Sequence, residues 1–549
     1  ARKIGADESI SKNIAGNPMS HVPPMIRKQH FDVVVLGSGF AGALTAMIAR
    51  KHGCSVLLVE KGQHPRMTIG ESTTPLTNLL LEEIAKAHDL PFLLDFTQYG
   101  KWKKVHPDLK VGLKRGFSFY NRQSKGKSSD LTEWDDELLV AASPNNFVAD
   151  TQWWRADWDL FLVDQCKKMG VEYSDLTDIS DLREEDDGVL LWIKSEQRKR
   201  RVKAGLLIDA CGGRAGIGQL LNIRKKPLTS TPETFAVHGH FSGVATIHPS
   251  NSHLGTEPLP YHPEDSAIHH IIDGGWVWSL RFDHGQVSAG AVLREKNYRS
   301  IQDQSPESIW SSVVNKHDEL KRLFQKAVPL YPLRKIKRVG FEMERTCGNR
   351  WIMLSSSAGF IDPLLSTGFP LTLQNIQRLA SCLSPQSLRR PGPLAALSSL
   401  AKSSKADLRM VDQLIGTLYA TMNDFRHFAA TSLVYFAAVS YTETARRLGK
   451  KKLASGFLFS EDPTLSSHIL STFENIKRIH QSEKTAEERW KDLQSCVDAA
   501  ITEFNVIGVS TKTKNPYFRA ETAPLFEHAH KLESTPTEIQ NMLVHAGLA

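Results

Sequence analysis

Apolar residues recur along this chain in two different rhythms. Continuous runs at Phe31–Gly37 (FDVVVLG) and Ser55–Glu60 (SVLLVE) flank a stretch of helical composition, Ala41–Gly53 (AGALTAMIARKHG), which ends at a glycine. Short Val-rich runs read as strands buried on both faces, so strand, helix, strand predicts a parallel βαβ start. Trp154–Gly170 predicts an amphipathic helix, and Gly188–Lys194 and Arg200–Asp209 predict two further strands. After Ile361 the rhythm changes. Phe369–Leu383 reads as a helix, and from Pro393 most of the pattern is helical, with Leu414, Leu418, Met422, Phe425 and Phe428 at spacings of three and four. One stretch, GGWVWSLRF at Gly274–Phe282, places Trp276 and Trp278 one residue apart. Residues two apart on a strand share a face. The pair is therefore either a core aromatic pair or a wall beside a flat cofactor or substrate.

Composition narrows the class. The 549 residues are 41% hydrophobic and 23% charged, enough apolar content for large cores. The six cysteines follow neither disulfide nor zinc spacing and read as reduced thiols of a cytoplasmic protein, with no metal site expected. The N-terminal residues lack a signal-peptide core. The uncharged run Phe428–Thr442 is too short and polar for a membrane span. The net charge of +8 gathers at Arg198–Lys203, Arg334–Arg338 and Arg446–Lys452. These read as solvated surface, or as docking for an acidic carrier or reductase. None lies in a nucleic-acid-binding module.

Chemistry enters between the first strand and helix, where GSGFAG sets Gly37, Gly39 and Gly42 in GxGxxG spacing. Gly37 permits a tight turn, Gly39 lets backbone approach a pyrophosphate, and Gly42 lets the helix pack on the strand. The helix N-terminus then faces phosphate, and Glu60, closing the next strand, is placed to accept from ribose hydroxyls. NAD and FAD share this fingerprint. Two patches favour FAD. LLIDACGG at Leu206–Gly213, with Asp209 and Gly212, resembles the turn that flavoprotein monooxygenases pass close to FAD. Ser355–Leu373 resembles the segment that sets a helix N-terminus against the flavin.

Five pieces in order resemble the flavin-dependent halogenases, over residues 30 to 380: GSGFAG, IGESTTP (Ile69–Pro75), GLKRGFSFY (Gly112–Tyr120), GGWVWSL and GFIDPLLSTG (Gly359–Gly368). The phenol- and pyrrole-type members are resembled more than the tryptophan-type. The resemblance implies an α/β fold: an FAD-binding Rossmann-like core at 30–380 with a mixed substrate-side sheet. Residues 1–29, polar with Gly and Pro, read as a mobile tail, and the helical pattern at 381–549 is expected to cover the substrate side. The resemblance implies FAD, used as FADH2 from a separate flavin reductase, and chloride or bromide oxidised to hypohalous acid.

The acid would travel past Trp276 and Trp278 to a lysine beside a small aromatic substrate, free or carrier-bound. Lys114 is the expected lysine and Lys101 the second choice. Thr367 and Gly368 would hold halide at a helix-opening turn, and Asp362 would belong to the cofactor side. His269 and His270 are either bases or structural. Three departures stand out: Ser279-Leu280 replaces the family's Ile-Pro, Ser355-Ser356 replaces Gly-Asp, and Leu365 replaces the glutamate of tryptophan-type members. The last implies an electron-rich phenol or pyrrole. The competing readings are a flavin monooxygenase or reductase of the same fold, and a flavin-binding partner protein without turnover.

Overall fold

The computed structural model describes residues 29–123, 133–195, 199–247, 258–390, 392 and 394–548. The tail expected over 1–29 lies outside the described residues except for Gln29, and so does Arg198 of the first basic cluster. Gln29 opens the first strand, Gln29–Leu36. Val56–Val59 and Lys199–Asp209 flank it in parallel, and Trp351–Met353 runs parallel beside the latter. Glu172–Ser174 extends one edge, and the antiparallel pair Gly188–Ser195 and Thr177–Glu185 the other. The helices Phe40–Lys51 and Arg155–Lys168 pack together. The predicted βαβ start is thus present. Leu36 is level with both Val59 and Asp209. The turns at Gly37, Glu60 and Ala210 therefore meet at one carboxyl edge, where open parallel sheets bind ligands.

The described residues also form a second, nine-stranded mixed sheet. Gly116–Asn121 runs parallel to Ala267–Ile272, followed by antiparallel Gly275–Arg281, Val287–Arg294 and Thr234–Ser242. Alternation sends Val277, Ile268, Ile272 and Val237 to a separate core under the helices Pro306–Asn315 and Asp318–Phe324. Phe117, Phe119, Trp276 and Trp278 point the other way, into the main core. The helices Ala395–Thr421 and Phe425–Arg447 close over that face, with Phe436 5.4 Å from Phe117 and Phe428 5.6 Å from Phe119 between ring centres.

The stripe from Leu414 to Phe428 spans two helices. Asp424 offers its carboxylate to the His427 N–H at 3.5 Å and so starts a new helix. A short acidic side chain serves better at a cap than inside a helix. All five stripe residues remain buried. The uncharged run Phe428–Thr442 lies within the second of these helices, and no described helix is long and apolar enough to cross a membrane. Each basic cluster is met in part by acids: Arg200 by Glu172, Lys203 by Glu185 and Asp187, Arg338 by Glu233, Arg446 by Glu83 and Arg447 by Glu443.

One continuous apolar core runs from Val33 of the first strand to Leu543 of the Pro536–Ala546 helix. The C-terminal helices therefore lack a separate core, and helices hold their shape in water mainly by burying an apolar face. Residues 394–548 expressed alone are expected to show no cooperative thermal transition by circular dichroism, whereas the full chain melts cooperatively.

Candidate active site

At the carboxyl edge the three glycines divide their work. Gly37 sits at φ +89°, and a Cβ there would stand 2.7 Å from the Ala210 carbonyl oxygen. A Cβ on Gly42 would come within 1.8 Å of the Gly37 carbonyl oxygen. Both are fixed by close backbone approach. Gly39 differs. A Cβ there would meet only side-chain tips, Arg155 Nη2 at 3.4 Å and Arg66 Nη2 at 3.6 Å. Gly39 precedes the Phe40–Lys51 helix without a capping side chain, so the first-turn N–H groups face this space.

Glu60 is buried, accepting from Ser38 N and Oγ at 3.0 Å and from Gly62 N at 2.9 Å. Burial pushes its pKa up, but Arg66 and these donors outweigh burial and hold the carboxyl below its ordinary value. Arg155 is held by Asp159 through two 2.9 Å bonds and donates to the Gly70 carbonyl at 2.8 Å. His64 Nε2 meets Ser38 Oγ at 2.7 Å. His64 Nδ1 and Arg66 Nε are buried with no hydrogen-bond partner among the described residues. Two guanidinium groups and orphaned donors around an open glycine fit the pyrophosphate of a dinucleotide such as FAD. Arg66, Arg155 and His64 escaped the sequence reading, because neither arginine has a fixed spacing from the glycines.

Asp209 spends its carboxylate on its own turn, accepting from Cys211 N at 2.9 Å and Ile217 N at 2.7 Å. It shapes the segment bearing Gly212, where a Cβ would meet open space. Ser355 and Ser356, in place of Gly-Asp, tie back to the Gly368–Ala380 helix through the Leu371 carbonyl at 3.1 Å and Thr372 Oγ1 at 3.0 Å.

Beyond this edge Trp276 and Trp278 share a face of the second sheet, ring centres 5.9 Å apart. Trp278 lies over its cross-strand partner Gly290, whose absent Cβ would be 2.3 Å from the indole. Asp362 accepts from Leu364 N at 3.0 Å and from the Tyr419 hydroxyl at 2.9 Å. The Trp276 indole N–H faces this pair without completing a hydrogen bond. Burial pushes the Asp362 carboxyl up to about 7. Leu365 and Ser366 follow at φ 65° and 54°, a region costly for residues with a Cβ. The Tyr435 hydroxyl holds the Leu365 carbonyl at 2.8 Å. This kink turns the chain so that Thr367 and Gly368 open the next helix, leaving their amides without intrahelical partners. The Leu365 side chain is wholly buried. His269 stacks on Phe119 at 4.5 Å, approaches the Ser118 carbonyl through Nδ1 at 3.2 Å, and is driven by burial to about 3. It stays neutral and is a weak base. His270 points to the opposite face of the strand, beside Tyr120.

Lys114 closes the strand Val111–Lys114, which pairs with Asp150–Trp153 so that Lys114 lies opposite Asp150. It is 0% exposed. Its Nζ donates to the Thr73 carbonyl at 2.5 Å and lies 3.8 Å from the Phe117 ring centre. Burial pulls its ammonium down to about 7, against the attraction of Asp150. Thr73 belongs to IGESTTP, which is stitched to the Asp150–Trp153 strand by Thr73 N to the Thr151 carbonyl at 3.0 Å and Trp153 N to the Glu71 carbonyl at 2.7 Å. The Glu71 carboxylate meets His240 Nε2 at 2.5 Å in a fully buried pair. Lys101 is exposed on the short helix Tyr99–Val105 and joins none of this. The Phe117 ring on which Lys114 rests also lines a cavity of about 150 Å³, with Thr74, Pro370, Tyr435, Glu443 and Arg447 among others; Lys114 itself is not in its lining.

A family model described as tryptophan halogenase matches residues 152–424, and one described as an NAD(P)-binding Rossmann-like domain matches 35–92. The chain is 27% identical over 360 residues to the monodechloroaminopyrrolnitrin halogenase PrnC of Pseudomonas fluorescens, covering 64% of this chain and 61% of that protein. It is 27% identical to the tetracycline 7-halogenase of Kitasatospora aureofaciens, covering 64% and 62%. The chain belongs to the flavin-dependent halogenase family. It spans about three fifths of the length of these two relatives. The solved structure of halogenase PltM in complex with phloroglucinol and FAD shares its fold at a TM-score of 0.79 and 22% identity, covering 89% of this chain and 99% of that one. The family fold accounts for the carboxyl-edge glycines and the tryptophan face lying in one molecule.

The glycines separate fold from ligand. Gly42→Ala forces a methyl into backbone and is expected to cost on the order of 1–3 kcal/mol or more, read as a lowered melting temperature. Gly39→Val is expected to melt like the unmodified protein and to lose FAD affinity in a fluorescence titration.

Proposed function

We propose that this protein is a halogenase that takes FADH2 from a separate reductase and delivers hypohalous acid, made from chloride or bromide, through Lys114 to an electron-rich aromatic ring. The observation that supports this best is the fully buried Lys114, aimed at the Thr73 carbonyl of IGESTTP and resting on Phe117, whose ring lines the cavity. A lysine is seldom buried so completely without a task.

The residues divide the reaction in space. Gly39, Arg66, Arg155 and Glu60 would hold the dinucleotide. Bound reduced FAD, with O2, supplies the oxidising equivalent that converts halide to hypohalous acid. Amides of Thr367 and Gly368 would hold the halide, as helix-opening N–H groups favour anions. Trp276, Trp278 and Phe119 form an apolar, water-poor wall on the way to Lys114. The Lys114 ammonium would hydrogen-bond the hypohalous oxygen and polarise the halogen toward the ring. Phe117, Tyr435 and the C-terminal helices would hold the aromatic substrate in the cavity, which assigns the region after residue 380 to the substrate side.

Leu365 bears on substrate class. At its position the site offers a buried alkyl group, so a cationic indole intermediate would gain no charge stabilisation there. A phenol or pyrrole supplies electron density from its own oxygen or nitrogen. The complex of PltM with phloroglucinol, a phenol, agrees with this choice for a protein of the same fold.

Lys114→Ala is expected to leave hypohalous acid formation, read with a chemical scavenger, at its original rate while abolishing regiospecific halogenation. The ammonium is the active form and burial lowers its pKa to about 7. Halogenation per hypohalous acid formed should therefore fall as pH rises through about 7. Loss of scavenger signal in Lys114→Ala would place the lysine in the earlier step instead. In competition with bromide, a resorcinol-type phenol should outpace free tryptophan by roughly 10²-fold or more, the scale of a missing electrostatic contact. Mass spectrometry of the mixed products reads the ratio.

A further inference from the structure

Asp150 is the cross-strand partner of Lys114, and both side chains are fully buried. Asn78 Nδ2 donates to Asp150 Oδ1 at 2.7 Å. Asp150 Oδ2 has no hydrogen-bond partner among the described residues. Leaving a buried acceptor unpaired costs about 1–3 kcal/mol, and such atoms in folded proteins call for an explanation. The charged groups acting on Asp150 are Lys114, Glu443 and Arg447, and the Tyr435 hydroxyl feels its charge in turn. Glu443 and Arg447 already satisfy each other at 2.7 Å. Nearby His269 is held neutral by burial and cannot readily take a proton. Tyr435, Glu443 and Arg447 also line the cavity, so the groups that act on Asp150 or feel its charge border the space proposed for substrate.

We propose that Asp150 accepts the proton that the aromatic ring loses on halogenation and returns it to Lys114. This rests on the halogenase reading above. Hypohalous acid loses its halogen–oxygen bond as the ring carbon forms a carbon–halogen bond with its own π electrons. The departing hydroxide takes a proton from the Lys114 ammonium and leaves as water. The ring's C–H pair then restores aromaticity, and that proton goes to the Asp150 carboxylate. Transfer from Asp150 to the Lys114 amine restores both groups. The sum is one ring hydrogen and hypohalous acid converted to one ring halogen and water. Burial pushes Asp150 up to about 8 and pulls Lys114 down to about 7, so the neutral pair and the charged pair lie close in free energy, and the cycle starts from the charged pair. A proton passes between matched groups with little driving force lost in either direction.

The test uses the full chain with reduced FAD, bromide and a phenol in ring-hydrogen and ring-deuterium forms. Asp150→Asn is expected to lower kcat for halogenation by about 10²-fold with KM for the phenol little changed. A ring hydrogen/deuterium isotope effect absent from the unmodified protein should appear, because ring deprotonation becomes slow. Asp150→Glu should recover part of the rate and lessen the isotope effect. Unmodified halogenation in Asp150→Asn, or a slower rate without the isotope effect, overturns the assignment. Should Asp150→Asn fail to fold, Asp150→Ala also removes the carboxylate and must show the same isotope effect. Its absence there overturns the assignment equally. The scavenger assay separates the two readings. No hypohalous acid from the unmodified protein removes the halogenase reading, and this proposal with it. Normal hypohalous acid with an unaffected Asp150→Asn removes only the role of Asp150.

Discussion

A lysine ammonium stripped of water has to be met by oxygen, and much of the site is arranged around meeting Lys114. Its oxygen comes from the Thr73 carbonyl, which is available only because IGESTTP runs as an added strand beside Asp150–Trp153. That segment begins just after the strand ending near Glu60 and leads into the helix Pro75–Ala87. One stretch of chain therefore ties the dinucleotide edge to the lysine. A charge buried this deeply without a compensating acceptor would cost several kcal/mol. The stitching of Thr73 to Thr151 and of Glu71 to Trp153 is thus part of what makes the lysine tolerable.

On the reading proposed above, the second sheet supplies the wall between the two ends. Its alternation sends both tryptophans to the core face, and Gly290 opposite Trp278 leaves room for the indole to lie flat. The main chain at Leu365 and Ser366 adopts a left-handed conformation that neither side chain favours, and it is held by Tyr435 from the C-terminal helices. Strain held in place by surrounding packing is common where a loop must aim particular amides. Here it directs Thr367 and Gly368. The C-terminal helices thus touch the site twice, through Tyr419 on Asp362 and Tyr435 on Leu365. They share one core with the dinucleotide-binding part rather than forming their own.

By itself the sequence determined the βαβ start, the roles of Gly37 and Gly42, the shared face of Trp276 and Trp278, and the candidacy of Lys114. Each of these rests on a local rule: a period of two or 3.6, a glycine spacing, or a short motif in order along the chain. The sequence ranked Lys114 above Lys101 by motif alone; the structure adds that Lys114 is fully buried and Lys101 exposed. The spacing of the stripe from Leu414 to Phe428 did not reveal the break between two helices, because periodicity continues across a cap while the backbone does not. Only the tertiary structure brought Arg66 and Arg155 over Gly39, set Asp150 across from Lys114, and showed that Asp209 serves its own turn. Those relations depend on strand register and on which groups lose their water together. Residues 36 to 89 positions apart become neighbours there, as Asp150 and Lys114 or Arg155 and Arg66 do, and no spacing along the chain encodes the low dielectric that gives such pairs their chemistry.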